Sequence, residues 1–148
     1  MTIEEVVETN LSGITADGKP FEFLHGPKAH LNVKADNLKN KNIAWLAYPI
    51  KSIDALLATG YIEAAYPVQI LFACKSRLDM SQDQQKELIA LMRTAARKFL
   101  INCQNDKDNV RSVKNSERLN VQNLTDTCVS GCYLTVTITP FDESSVCP

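Results

Sequence analysis

The fold class is decided by residues 81–102, which read SQDQQKELIALMRTAARKFLIN. Ser81 and Gln84 have the spacing of a capping box, in which each side chain bonds to the backbone amide of the other residue at a helix start. Apolar residues then recur at helical spacing, at Leu88, Leu91, Met92, Ala95, Ala96, Phe99 and Leu100. The stretch therefore predicts a long helix with one broad apolar stripe that packs across a sheet.

Alternating apolar residues predict the strands of that sheet on both sides of the helix. Residues 29–75 contain three of them: a half-buried strand near its start, a strand apolar on both faces at Ile43–Tyr48, and a long strand from Tyr61. Pro67 lies inside the long strand and indicates a bulge or an unpaired edge there. Residues 110–139 contain a strand pair, of which the first member is broken.

The remaining segments are predicted to be a short helix, loops and a tail. Residues 1–10 form the helix, with Ile3, Val6 and Val7 on one face. Residues 11–28 form an irregular loop that contains an Asp-Gly turn dipeptide. Residues 50–60 fit a helical turn, and residues 141–148 form a tail.

The expected architecture is a single α+β domain over residues 1–148. It has a largely antiparallel sheet of about five strands, one long amphipathic helix on a face of the sheet, and a short helix at the N-terminus. Its composition, 45% hydrophobic and 22% charged, is that of a soluble globular domain. The chain has no apolar run of the length that a membrane helix requires, and its acidic start is unlike a targeting segment.

The charge balance is nearly even, with 17 acidic and 16 basic side chains, which argues against a dedicated nucleic-acid binder. The two signs are unevenly distributed. Residues 1–17 contain four acids and no Lys or Arg, whereas residues 86–118 contain eight Lys or Arg and four acids. Charges separated in this way steer association, so the acidic start of one copy could meet the basic stretch of another.

The sequence contains no motif typical of a catalytic, cofactor or metal site. Its two histidines are five residues apart, and its Cys-Xaa3-Cys pair, Cys128 and Cys132, lacks the spacing of zinc ribbons. We therefore predict no enzyme activity, no cofactor and no metal. The alternative from another class is a small cytoplasmic enzyme that uses Cys128 or Cys132 as its nucleophile. A small ligand-binding domain is a third hypothesis.

Three stretches resemble phage tail terminator proteins, also called tail-completion or neck proteins. They are YPVQILFAC at 66–74, MSQDQQ at 80–85 and DTCVSGCYLTVTI at 126–138. The order of elements over residues 1–140 is similar as well. The resemblance implies a virion structural protein that is assembled in the host cytoplasm and forms a ring, expected to be a hexamer, at the head-proximal end of the tail.

Such a ring joins the tail tube to the head–tail connector, and DNA only passes through it. No membrane is involved. The alternative within this class is a head–tail adaptor or stopper ring. Ring closure requires a surface patch and its complement on a neighbouring copy. The candidate contact residues are Glu4, Glu5, Glu8, Phe21, Phe23, Leu56, Leu57, Arg93 and Arg97.

Overall fold

The structure, a computed structural model, describes residues 2–27, 42–56, 60, 62–76, 80–122 and 129–141. These residues form two helices, α1 (Ile3–Leu11) and α2 (Gln82–Asn105). They also form seven strands: β1 (Thr15–Ala16), β2 (Lys19–Gly26), β3 (Asn42–Ala47), β4 (Ile53–Leu56), β5 (Ile62–Lys75), β6 (Val110–Val121) and β7 (Val129–Pro140). The fold class is α+β, as the sequence predicts.

The strands form one mixed sheet. Their order is β1-β2-β3-β5-β7-β6, and β4 pairs with β5 away from this path. β2 and β3 run parallel, while the other pairs within the described residues are antiparallel. The sheet is therefore mixed, with one parallel and five antiparallel pairs among its seven described strands, where the sequence predicts a largely antiparallel sheet of about five strands. Period-two alternation identifies a strand but carries no information about the direction of its partner.

Both helices begin with a capping box. In α2 the Ser81 hydroxyl accepts from the Gln84 amide at 3.2 Å, and the Gln84 side chain accepts from the Ser81 amide at 3.0 Å. Thr2 and Glu5 make the same reciprocal pair at the start of α1. The predicted long helix is thus confirmed, and it continues three residues beyond Asn102.

The main core lies between the two helices and one face of the sheet. α1 contributes Ile3, Val6, Val7 and Leu11, and α2 contributes Met92, Ala95, Ala96, Phe99 and Cys103. Leu91, which the sequence places in the apolar stripe, is 37% exposed, whereas Ile89 is buried. A second buried cluster, which includes Ile43, Trp45 and Leu71, lies on the opposite face of the sheet.

The two central strands approach each other closely at Gly131. β5 and β7 pair continuously from Tyr66 opposite Ile138 to Lys75 opposite Val129. A Cβ atom at Gly131 would lie against the carbonyl oxygen of Phe72 and 2.8 Å from the Cα atom of Ala73. Only glycine fits this approach without a shift of the backbone.

Three segments differ from their predicted conformation. The expected loop over residues 11–28 is instead a hairpin of β1 and β2, whose turn residues Asp17 and Gly18 have φ angles of 53° and 71°. These left-handed angles fit the Asp-Gly signal of a tight hairpin turn. The expected helical turn over residues 50–60 contains the strand β4. β6 is one strand with two register irregularities rather than two fragments.

Pro67 lies where β5 changes partners. On one side β5 pairs with β7, and on the other it pairs first with β4 over residues 62–65 and then with β3 over residues 70–73. Pro67 falls in the interval between those two pairings, which agrees with the prediction of an unpaired edge. The strand predicted near residue 30 and the tail beyond Phe141 lie outside the described residues.

Candidate assembly surface

The most exposed apolar feature is a two-stranded ribbon at one end of the sheet, formed by residues 53–56 and 62–65 and named here the β4–β5 arm. The register pairs Ile53 with Ala65 and Leu56 with Ile62. β7 begins to pair with β5 only at Tyr66, so residues 62–65 have β4 as their one partner among the described strands. The ribbon therefore lies at the margin of the sheet.

Apolar side chains are exposed on both faces of the β4–β5 arm. Successive strand residues point to opposite faces, and paired residues share a face. Leu56 and Ile62 therefore lie on one face with Asp54, and their exposed fractions are 82% and 46%. Ile53, which is 52% exposed, lies on the other face. Contiguous apolar surface of this kind is typical of an interaction site.

A groove lies at the other end of the sheet, between the first half of α2 and the C-terminal end of β6. We name it the α2–β6 groove; its volume is about 650 Å³. It is lined by Gln82, Asp83, Lys86, Ile89, Ala90, Arg93, Asn120 and Gln122. Arg93 donates to the Asn120 side chain at 2.9 Å, and Gln122 donates to the Gln82 side chain at 3.2 Å. These two contacts hold β6 beside the helix.

A second concavity of about 540 Å³ lies at the start of α1 and is lined by Thr2, Ile3, Glu4, Glu5, Ile50, Tyr66 and Pro140. Ile50 and Tyr66 are close in sequence to the two strands of the β4–β5 arm. This concavity therefore lies where the arm of the same chain joins the rest of the sheet. The charged groups that line it are two carboxylates. In the α2–β6 groove two bases face one acid.

The acidic candidates on α1 make contacts within the chain. Glu5 closes the capping box with Thr2. Glu4 accepts a hydrogen bond from the Tyr48 hydroxyl at 2.7 Å, and Glu8 is exposed. Two of the three carboxylates therefore already have intramolecular partners.

The two phenylalanine candidates pack against the protein's own core. Phe21 is half-buried, and its ring meets the Phe72 ring edge-on with centroids 5.7 Å apart. Phe23 is also half-buried and stacks on the His25 ring at 5.6 Å. Sequence reasoning left open whether these rings fold back onto the core or face a partner, and their placement favours the core.

The remaining candidates are distributed over the two ends of the molecule. Leu56 lies on the β4–β5 arm, and Leu57 lies outside the described residues. Arg93 lines the α2–β6 groove, and Arg97 is exposed one turn further along α2. The structure thus places Leu56 and Arg93 in two separate surface features rather than in one site.

Sequence reasoning missed a chain of polar contacts that joins α1 to the sheet. The Tyr48 hydroxyl donates to Glu4 and lies 3.0 Å from the Nδ1 atom of His25. The Glu4 contact raises the pKa of Tyr48 to about 12, and the same hydrogen bond lowers the pKa of Glu4. Because these three residues are far apart in sequence, no local sequence pattern could have predicted the contacts between them.

The cysteines described by the structure occupy the core. Cys74, Cys103 and Cys132 are buried and free. Burial raises the pKa of Cys74 to about 11 and that of Cys103 to about 12, and it also raises the pKa of Cys132. A nucleophilic cysteine needs a lowered pKa and access to solvent, so Cys132 is poorly placed for that role. Cys128 and Cys147 lie outside the described residues.

Within the described ranges, no cluster of three or more His, Cys, Asp or Glu residues is arranged to hold a metal ion. Neither helix of that part of the chain is both long and apolar enough to cross a membrane. Searches of protein-family models and of curated proteins found no match for this chain.

Proposed function

We propose that this protein is a structural subunit that assembles with copies of itself into a closed ring in the neck of a phage tail. In this role it is a tail terminator, which ends the tail tube and presents a surface to the head–tail connector. The observation that carries the proposal is the β4–β5 arm, because its exposed leucine and isoleucine side chains bury only part of their surface within the fold that bears them.

The energetic reason is the cost of leaving this apolar surface in water. Burial of a leucine or isoleucine side chain contributes about 1.5–3 kcal/mol relative to full exposure. Leu56, Ile53 and Ile62 gain only part of that contribution within the chain, since each is roughly half exposed or more. Contact with another subunit would supply the rest.

The resemblance of residues 66–74, 80–85 and 126–138 to tail terminator proteins supplies the biological setting of the proposal. A ring at this position works by binding its neighbours in the particle, and that binding depends on exposed strands, loops and charged side chains. The connector and the tube subunit would be its other partners, and DNA would pass through the opening.

The first test is the assembly state of the purified protein. Native mass spectrometry and negative-stain electron microscopy should show a closed ring of about six copies, as expected when a head-to-tail contact closes on itself. A protein that stays monomeric across the concentration range reached inside an infected cell would contradict the proposal.

The second test places the ring in the particle. Antibody labelling of tails that lack heads should mark one tube end if the protein is a tail terminator. Labelling found only on DNA-filled heads that lack tails would instead assign it to the adaptor or stopper class. Neither result depends on knowing the ring contacts.

A further inference from the structure

The β4–β5 arm and the α2–β6 groove lie at opposite ends of β5. β5 begins at the arm, and near its other end Ala73 pairs with Gly131, which in turn pairs with Val121 of β6. The groove residues Asn120 and Gln122 flank Val121. The eleven residue steps from Ile62 to Ala73 span roughly 35 Å at about 3.3 Å per step, so an arm cannot reach its own groove.

We propose that the β4–β5 arm of one copy docks in the α2–β6 groove of the next copy. Leu56 then lies against Ile89 and Ala90, and Asp54 faces Lys86. This inference rests on the proposed self-assembly and names the surfaces that perform it. A contact between opposite ends of two identical molecules is head-to-tail, which is the kind of contact that closes into a ring.

Charge favours this groove over the other concavity. The eight residues of the arm carry two acids, Asp54 and Glu63, and no base. Glu63 is within 3.4 Å of Arg111 in the same chain, which leaves Asp54 to meet a partner. The α2–β6 groove offers Lys86 and Arg93 against one acid, Asp83, and so has a net positive lining. The concavity beside α1 offers Glu4 and Glu5, which would repel the arm.

Shape and composition agree with the same pairing. The groove volume of about 650 Å³ is within the range of pockets that enclose a drug-sized ligand, which is ample for the Leu56 side chain. Its floor contains the buried Ile89, and Ala90 beside it is exposed. Leu56 and Asp54 lie on the same face of the arm, so the apolar and the charged contact are made together.

The decisive experiment is a photo-cross-link in the full-length protein. A benzophenone amino acid in place of Leu56 should yield a cross-linked dimer in which the acceptor peptide contains residues 86–93 of α2. The same amino acid in place of Ile101 is the control, because Ile101 is an exposed apolar residue of α2 outside the groove. A ring that cross-links from position 56 to any other peptide would overturn the docking and leave the ring function standing.

Charge reversal gives an independent test by sedimentation velocity. Lys86→Glu and Asp54→Lys should each weaken self-association about tenfold, and the double variant should restore it to within about threefold. Lys98→Glu is the matched control, since it makes the same change on α2 outside the groove and should leave association unchanged. Equal effects of Lys86→Glu and Lys98→Glu, or no recovery in the double variant, would contradict the docking. A wild-type protein that never associates would contradict the proposed function as well.

Discussion

The two ends of β5 carry similar residues in opposite environments. Ile70 is fully buried, because it is paired with Leu46 on one side and Leu134 on the other and lies in the core beneath the helices. Ile62 is 46% exposed and pairs with Leu56, which is itself 82% exposed. The comparison shows that a strand residue is buried when strands flank it on both sides and a helix covers it, and is exposed when it has one neighbouring strand alone. One end of β5 stabilises the fold, and the other end presents apolar surface.

The largest effect is expected at the buried end. Phe72→Ala removes a fully buried ring that contacts the rings of Phe21 and Phe99, with centroids 5.7 Å and 5.8 Å away. The free energy of unfolding should fall by about 3–5 kcal/mol, because the neighbouring side chains cannot fill the cavity. Urea denaturation measures this, at a protein concentration low enough that association does not stabilise the native state. A loss below about 1 kcal/mol would show that this end of β5 is not the core.

A moderate effect is expected at Tyr48, which follows β3 and precedes the β4–β5 arm. Tyr48→Phe removes the hydroxyl that donates a hydrogen bond to Glu4 and lies 3.0 Å from the Nδ1 atom of His25. It should lower the free energy of unfolding at neutral pH by about 0.5–1 kcal/mol, a small value because these groups are exposed. The bond lowers the pKa of Glu4 below 4.5, so its contribution is present above that pH and is lost as the pH falls through the folded pKa.

The same bond raises the pKa of Tyr48 from 10 to about 12. Its contribution is therefore complete below pH 10 and is lost as the pH rises towards 12. Denaturation curves of the two proteins at several pH values should differ most between about pH 5 and pH 9. A difference that is independent of pH would mean that Tyr48→Phe acts through packing and not through Glu4.

The smallest effect on folding is expected at the exposed end. Leu56→Ser should lower the free energy of unfolding of the monomer by no more than about 0.5 kcal/mol, because Leu56, the partner of Ile62, is 82% exposed and has little buried surface to lose. It should nevertheless weaken self-association, which sedimentation velocity over a concentration series measures. If Leu56→Ser destabilises the monomer as strongly as Phe72→Ala does, the exposed end of β5 and its partner strand belong to the core and the comparison fails.

The parts of the fold that the sequence predicts well are those with a strong local signal. The capping box at Ser81 and the helical spacing up to Phe99 locate α2, and the alternation from Cys132 to Ile138 locates β7 with its buried face. β4 was missed because it is exposed on both faces, and such a strand shows no period-two pattern. Ile53 and Leu56 have the spacing of a helical turn by coincidence.

The candidate surface was accessible to sequence reasoning only in part. The local excess of basic residues indicated Arg93, and the apolar residues of the expected helical turn over residues 50–60 indicated Leu56. The groove itself depends on Asn120 lying beside Arg93, 27 residues away in sequence, which no local pattern encodes. The parallel pairing of β2 with β3 is equally non-local.

The burial of three thiols has a consequence for the chemical durability of the folded protein. The thiolate is the form that oxidants attack, so the rate of damage follows its population. With a pKa of about 11, roughly one Cys74 side chain in ten thousand is ionised at pH 7, about a hundredfold fewer than for a thiol of pKa 9. Cys103 and Cys132 are shifted in the same direction. The packing around these sulfur atoms therefore slows the oxidation of the folded protein relative to that of the unfolded chain.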